Sequence, residues 1–179
     1  PSQKIKMATK YNVPKIEELI GAGVHFGHQV KRWHPEMEKY IYTVKRNVHI
    51  IDLEQTEGLL QKAADFLYEA AKVGKKVVFV GTKKQAREII EIEAKRAGAM
   101  YVTERWLGGT ITNHKVIKKN NIDKMLDLKS KMEKGEFDHY TKKERLLIDR
   151  EIERLERYVG GLANLKKKPD VLVVVDARS

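Results

Sequence analysis

The sequence contains no cysteine. That absence excludes disulfides, thiolate metal ligands and cysteine nucleophiles together, and it suits a reducing compartment. Long apolar runs are missing too: the longest, Val171 to Val175, is far too short to cross a bilayer. The first ten residues, PSQKIKMATK, hold no apolar signal-like stretch, and Met7 is the expected natural start behind a short extension. Acidic residues are the scarcer charge, 25 against 36 Lys and Arg, for a net of +11 and a pI near 9.6. This surplus favours a polyanionic partner, with nucleic acid ahead of a membrane surface. At 179 residues the chain can bury a real core and fits one domain with a sizeable insertion.

The surplus is unevenly placed. Residues 1–46 carry +5, 47–113 carry +1, 114–168 carry +6 and 169–179 carry −1. Two basic flanks on a nearly neutral middle have the form of an electrostatic footprint.

The neutral middle reads as α/β. Tyr40 to Val44 and Val48 to Leu53 are β-rich runs joined by Lys45-Arg46-Asn47, a hairpin signal. Asp52 with Gln55 reads as a capping box opening a helix whose face is Leu59, Leu60, Ala63, Ala64, Leu67 and Ala71, ended by Gly74. Lys76 to Val80 is a continuous apolar strand of the kind buried in parallel sheets. Thr82 with Gln85 reads as a second capping box, with Ala86, Ile89, Ile90, Ile92 and Ala97 on the helix behind it and Gly98 at its end. A further strand, around Met100 to Val102, leads into Arg105, and Pro169-Asp170 precedes Val171 to Val175, read as another fully buried strand. Alternating strands and helices predict a parallel crossover sheet.

The texture changes between the last two strands. Ile117, Ile122, Met125, Leu128 and Met132 form one thin apolar stripe in a highly charged segment, broken at Gly135 to Tyr140. Thr141 with Glu144 is a third capping box, and Ile148, Ile152, Leu155 and Val159 recur at spacings of four and three before Gly160-Gly161. Two narrow stripes on charged helices predict an antiparallel hairpin of coiled-coil type, projecting from the sheet. The expected divisions are 1–112 for the N-terminal segment and first part of the α/β domain, 113–162 for the hairpin, and 163–179 for a return strand. No covering helix follows that strand, so the chain is either a fragment or has its α/β layer finished by something else.

Three chemistries compete for these residues. Val78 to Gln85 is strand, glycine and helix start, and Lys83 and Lys84 would lie near a phosphate there, as in a small nucleotide- or sugar-phosphate-binding enzyme. The P-loop and the dinucleotide fingerprint both need more glycines than Gly81 alone, so a plain turn explains the segment. His25, His28, His34 and His49 lack cysteine or carboxylate partners at ligand-like spacing, which disfavours a metal, and no cofactor is called for. Nucleic-acid binding draws on more of the chain. Lys31, Arg32, Trp33 and His34 interleave cations with an aromatic, Lys45 and Arg46 sit at a hairpin tip, Lys115, Lys118 and Lys119 open the predicted hairpin, and Lys166, Lys167 and Lys168 lie at its return. No signature of a common RNA-reading module is present, so backbone and shape contacts are the expected mode.

The segment Arg105 to Asn113, RWLGGTITN, joins strand to hairpin. Arg105 offers a planar fork for phosphate and Trp106 a flat face for stacking, while the alternative is an ordinary turn in which Trp106 covers the core.

Together the runs AGVHFGHQ (22–29), NVHIIDLE (47–54), FVGTK (79–83), RWLGGTITN (105–113), YTKKE (140–144) and GGL (160–162) give the chain, from Ile16 to Ala177, a resemblance in order and spacing to the bacterial-type small-subunit ribosomal protein two family. The resemblance implies a flavodoxin-like α/β domain, its parallel sheet covered by helices on both faces, with an inserted helical hairpin. It implies a non-enzymatic constituent of the small subunit, cytoplasmic and ribosome-bound, in a bacterium or an organelle. Its partners would be small-subunit ribosomal RNA and neighbouring ribosomal proteins, among them the mRNA-binding protein built of OB-fold repeats, with no membrane. Two departures stand out: the family continues past the strand matching VLVVVDA, and His114 occupies a position often held by tryptophan.

Overall fold

The computed structural model describes residues 11–177; residues 1–10, the expected start at Met7 among them, and residues 178 and 179 lie outside the described residues. The described residues form two compact units, which divide between residues 69 and 70.

The first unit is built on a three-stranded antiparallel sheet. A short helix α1 (Ile16–Gly21) precedes β1 (Phe26–Gln29), then two 3-10 turns (Val30–Arg32 and Pro35–Tyr40), β2 (Ile41–Lys45) and β3 (Val48–Ile51). The strand order is β1-β3-β2, so β3 is central. The hairpin predicted at Lys45-Arg46-Asn47 forms, with Lys45 opposite Val48. Arg46 (φ 49°) and Asn47 (φ 62°) both take the left-handed conformation that a two-residue hairpin turn requires. Helix α2 (Leu53–Lys72) follows, its last turn belonging to the second unit. Asp52 opens it: one carboxylate oxygen accepts from the amides of Glu54 and Gln55, while the other accepts from the Gln55 side chain. Those bonds, led by the one from the Gln55 side chain, hold the Asp52 carboxyl below its ordinary range. The Tyr11 hydroxyl donates to Asp65 on α2, and the attached carboxylate pushes the phenol up to about 12.

The second unit holds a parallel sheet of β4 (Val77–Val80), β5 (Met100–Val102) and β6 (Val171–Val174), in the order β5-β4-β6. Val78 pairs with Met100 and Leu172, and Val80 with Val102 and Val174. Val78, Val80, Met100 and Val102 therefore share one face, where they form a single core with Ile122, Met125, Leu155, Val159, Leu162 and Leu165. The alternate residues face the other way, towards α3 (Arg87–Arg96), where the Tyr101 hydroxyl donates to Glu91. The molecule is thus a mixed α/β protein, with helices packed on its parallel sheet.

The helical stretch on the core face runs through α4 (His114–Ile117), a π-turn (Lys118–Asp123), α5 (Lys124–Glu133) and α6 (Lys142–Val159). Of the stripes read from the sequence, Ile122, Met125, Ile152, Leu155 and Val159 are buried and Ile117, Leu128 and Ile148 half-buried, but Met132, in the last turn of α5, lies outside this core and is exposed. Lys124 pairs with Glu151 at 2.8 Å and Lys129 with Glu156 at 2.5 Å, joining α5 to α6. Thr141 and Glu144 form the predicted capping box in full. A 3-10 turn (Gly160–Leu162) closes the stretch. At Gly161 a Cβ would collide with the Tyr101 carbonyl oxygen and come within 2.8 Å of the Tyr101 ring, so only glycine lets this turn sit on β5.

Four expectations need correction. Helix α3 does not start at Thr82 but at Arg87, with Ala86 as an N-cap that makes no side-chain bond. A separate turn over Lys83 to Arg87 intervenes, and the Arg87 guanidinium binds the Thr82 carbonyl. On α3 the covered row is Ile90 and Ala94, while Ile89 and Ile92 stay exposed, because a sheet of three strands covers only one narrow row. On α2, Leu59, Leu60, Ala63 and Ala71 are exposed, and the buried positions are Leu53 and Ala70. Finally, β6 is an edge strand and not a fully buried one: Val171 is buried, but Val174 and Val175 are exposed.

Gly161→Ala should destabilise the second unit by about 1–3 kcal/mol, the usual cost of forcing atoms into a packed contact, as read by chemical denaturation. Gly98→Ala is a poor control because of its left-handed backbone; Gly58→Ala, with open space around it inside α2, should be neutral or stabilising. A second expectation concerns pH. The bond from Lys124, then that from Arg154, holds the Glu151 carboxyl below its ordinary 4.5. A depressed folded value stabilises the fold above the unfolded value, and this contribution disappears as pH falls through the folded one. Glu151→Gln should therefore reduce the loss of stability below about pH 4.5, while costing under about 1 kcal/mol at neutral pH for a partly exposed pair.

Candidate nucleic-acid interface

Lys31-Arg32 and Lys45-Arg46 are separated by a dozen residues of chain, and strand pairing brings them to one end of the first unit's sheet. Gln29 lies opposite Val48, and the Val30 amide donates to the Asn47 carbonyl at 3.2 Å. The 3-10 turn carrying Lys31 and Arg32 is thereby tied to the hairpin turn carrying Arg46. All four cations are exposed. The strained left-handed backbone at Arg46 is held by its place in the turn, which fixes where its side chain starts.

Trp33 and His34 follow directly. The Trp33 ring lies over His49 of β3, with centroids 5.4 Å apart and planes inclined by 32°. Trp33 keeps 41% of its surface exposed, whereas His49 is buried and its two ring nitrogens meet no hydrogen-bond partner. His34 serves the backbone, because its Nδ1 accepts from the Glu36 amide and caps the second 3-10 turn. Among the described residues, no three His, Asp or Glu side chains are grouped as a metal site.

The remaining candidates belong to the second unit. In the RWLGGTITN segment, Trp106 and Leu107 pack against the core, and the buried Thr110 donates its hydroxyl to the Leu107 carbonyl at 2.6 Å. Gly109 is left-handed (φ 88°), and its carbonyl accepts from the Asn113 amide. The segment is thus a self-bonded turn that covers the core, with Arg105 exposed on it. Lys115 and Lys119 are exposed, but Lys118 is half-buried and makes a bidentate pair with Asp123, at 2.7 and 2.9 Å. Lys166, Lys167 and Lys168 are exposed between the 3-10 turn and β6.

The segment that suggested a phosphate site has other uses. A Cβ at Gly81 would overlap the Ile90 side chain, so this glycine lets α3 seat against the end of β4. Lys83 pairs with Asp176 at 2.7 Å and Arg87 with Glu104 at 2.9 Å. A cavity of about 470 Å³ opens beside them at the carboxyl ends of the strands, lined mostly by apolar groups such as Val80, Trp106, Ile111 and Val174.

Sequence reasoning missed Tyr42. It is 77% exposed on β2, more than any other large hydrophobic side chain among the described residues. A bulge at this point leaves Ile41 and Thr43 paired to adjacent residues of β3. An aromatic on a strand beside a basic turn was the available signal. The missing information was that β2 is an edge.

Fold and surface together define a basic mixed α/β protein with cations gathered on a small sheet and along the helical stretch between β5 and β6. The model of the ribosomal protein S2 family matches residues 19–179. Proteins named small ribosomal subunit protein uS2 are similar to the chain: that of Picosynechococcus sp. is 46% identical over 166 residues, covering 93% of this chain and 64% of the relative. Those of Gloeobacter violaceus and Synechocystis sp. are also 46% identical, over 93% of this chain and 61% of their own length. The chain belongs to the ribosomal protein S2 family, and it spans about three-fifths of the length of these curated relatives.

Because His34 caps its turn, His34→Asn, which keeps an acceptor, should leave the local stability of that turn nearly unchanged, whereas His34→Ala should cost about 0.5–2 kcal/mol of it. Amide hydrogen exchange across residues 35–40 reads the difference.

Proposed function

We propose that this chain is a structural, non-catalytic constituent of the small ribosomal subunit, binding small-subunit ribosomal RNA through its exposed cations. The observation that carries this reading is the convergence of Lys31, Arg32, Lys45 and Arg46 on one sheet end, in a chain whose relatives bear a small-subunit name. Phosphate contacts of this kind position a protein on RNA without reading sequence. Trp33 and His34 border that cluster, and Arg105, Lys115, Lys119 and Lys166 to Lys168 form the second unit's contribution. Trp106 acts through the turn it braces. Lys118 contributes least, because Asp123 already neutralises it.

In the same reading residues 1–112 supply the N-terminal segment and first part of a flavodoxin-like domain. Residues 113–162 form an antiparallel hairpin set into it, and 163–179 bring the return strand. The ion pairs between α5 and α6 and their shared core stripe support the hairpin. Neighbouring small-subunit proteins, including the OB-fold mRNA-binding one, would dock on the α/β body, and the place of work is the ribosome in the cytoplasm. The enzyme reading is weaker because Gly81 and Lys83, which it needs, are occupied with packing and an ion pair.

Sedimentation of the protein from lysate through a sucrose gradient tests this. Comigration with the small subunit at low salt, weakening as salt rises, is expected; free protein at both salts would reject it. In binding to ribosomal RNA, each of Lys31→Ala, Arg32→Ala and Arg46→Ala should flatten the salt dependence by about 0.7–0.9 log units per lost phosphate contact, with Lys118→Ala changing it less. A nucleotide that raised the melting temperature would instead favour the enzyme.

A further inference from the structure

We propose that the first unit's sheet is a stacking platform for unpaired nucleotides, with Trp33 and Tyr42 receiving bases and the cations beside them receiving phosphates. This rests on the RNA-binding reading above and names which form of RNA this face takes.

Four observations carry it. Trp33 stands on His49, which is itself buried in the central strand, so the indole is held at a fixed angle with part of its surface open. Val44 lies directly opposite His49, which puts the half-exposed Val44 on the same side of the sheet as the Trp33–His49 pair. Tyr42, two residues earlier, is the extra residue of the bulge between Ile41 and Thr43 on this edge strand and is three-quarters exposed. Strand β2 is an edge of the sheet, and nothing pairs with its outer side among the described residues.

An exposed apolar face of this kind is costly in water unless a partner covers it. Its surroundings say which partner. Lys31, Arg32, Lys45 and Arg46 sit at one end, and Lys39 lies 5.0 Å over the Tyr40 ring, against Glu36 and Glu38 on the neighbouring turn. Flat apolar groups with cations in excess match a chain that carries a negative charge and a planar ring in every unit. Single-stranded RNA does so. A duplex hides its bases in the stack and offers this face phosphates alone. An acidic protein segment would satisfy the cations but leave the two aromatic rings without planar partners. Platforms of two or three aromatics take about as many bases, so the footprint is short.

The test uses the full chain and fluorescein-labelled oligoribonucleotides, one single-stranded and the other the corresponding duplex. Single strands should bind more tightly than the duplex at equal salt. Tyr42→Ala, at a site too exposed to threaten folding, should weaken single-strand binding by about five- to a hundredfold, the range for losing one stacked base. It should leave duplex binding and the salt slope unchanged, whereas Arg46→Ala lowers the slope for both. In a Trp106→Phe background the remaining indole emission comes from Trp33, and the single strand alone should quench it. Equal affinity for both forms, or Tyr42→Ala binding single strands like the parent while Arg46→Ala weakens, overturns the platform and leaves the phosphate reading standing. A chain that sediments with the small subunit yet binds neither oligonucleotide overturns it too, and assigns this face to a protein contact. Failure to sediment with the subunit is the separate failure of the proposed function.

Discussion

The second unit depends on how closely one turn can approach one strand. The 3-10 turn after α6 lies against the Tyr101 backbone because residue 161 has no side chain. That approach delivers Val159, Leu162 and Leu165 to the same face of the sheet as Val78 and Val102, all within one continuous core. Packing energy in such a core depends on atoms meeting at contact distance, and gaps of even half an ångström forfeit part of it. Everything the helical stretch presents to solvent, its lysines included, is referenced to that contact.

A parallel constraint organises the first unit. Here the central strand, β3, has a histidine at its most buried position, and an indole lies over it. Few groups are buried, and order comes from the backbone ladder, the Asp52 cap and the tight turn at Arg46. Charge is therefore carried on a hydrogen-bonded frame and not on a well-packed layer. The two units solve the same problem, the placement of cations on a rigid support, by different means.

Local features were legible in the sequence. The hairpin at Lys45 to Asn47 and the caps at Asp52 and Thr141 rest on interactions spanning four residues or fewer, and each was readable from spacing alone. The stripes of α5 and α6 were readable from their period except at Met132, which the distant core does not cover. Where a longer-range partner competed, reading failed. Thr82 matched a capping pattern, but the chain uses its carbonyl to bind Arg87 and starts the helix later. Val171 to Val175 looked like a central strand, and hydrophobicity cannot tell a centre from an edge when the neighbouring strand is set by topology. The family resemblance supplied what periodicity could not, the membership of these segments in one family. Of the candidate interface, every cation was visible as a cluster. That two clusters meet follows only from the register of β1 on β3, a pairing over some twenty residues that no local pattern encodes.

Of the buried hydrophobic side chains among the described residues, only Leu19 and Leu53 belong to the first unit; all the others are in the second. Heat capacity of unfolding scales with the apolar surface that unfolding exposes. The second unit therefore contributes the larger share of that heat capacity, because apolar groups of the first, such as Val48, Ile50 and Ile51, are mostly half-buried. The unit that carries the densest aromatic and cationic face gives the smaller calorimetric signal, so its integrity is better followed through exchange of its β3 amides than through a melting temperature.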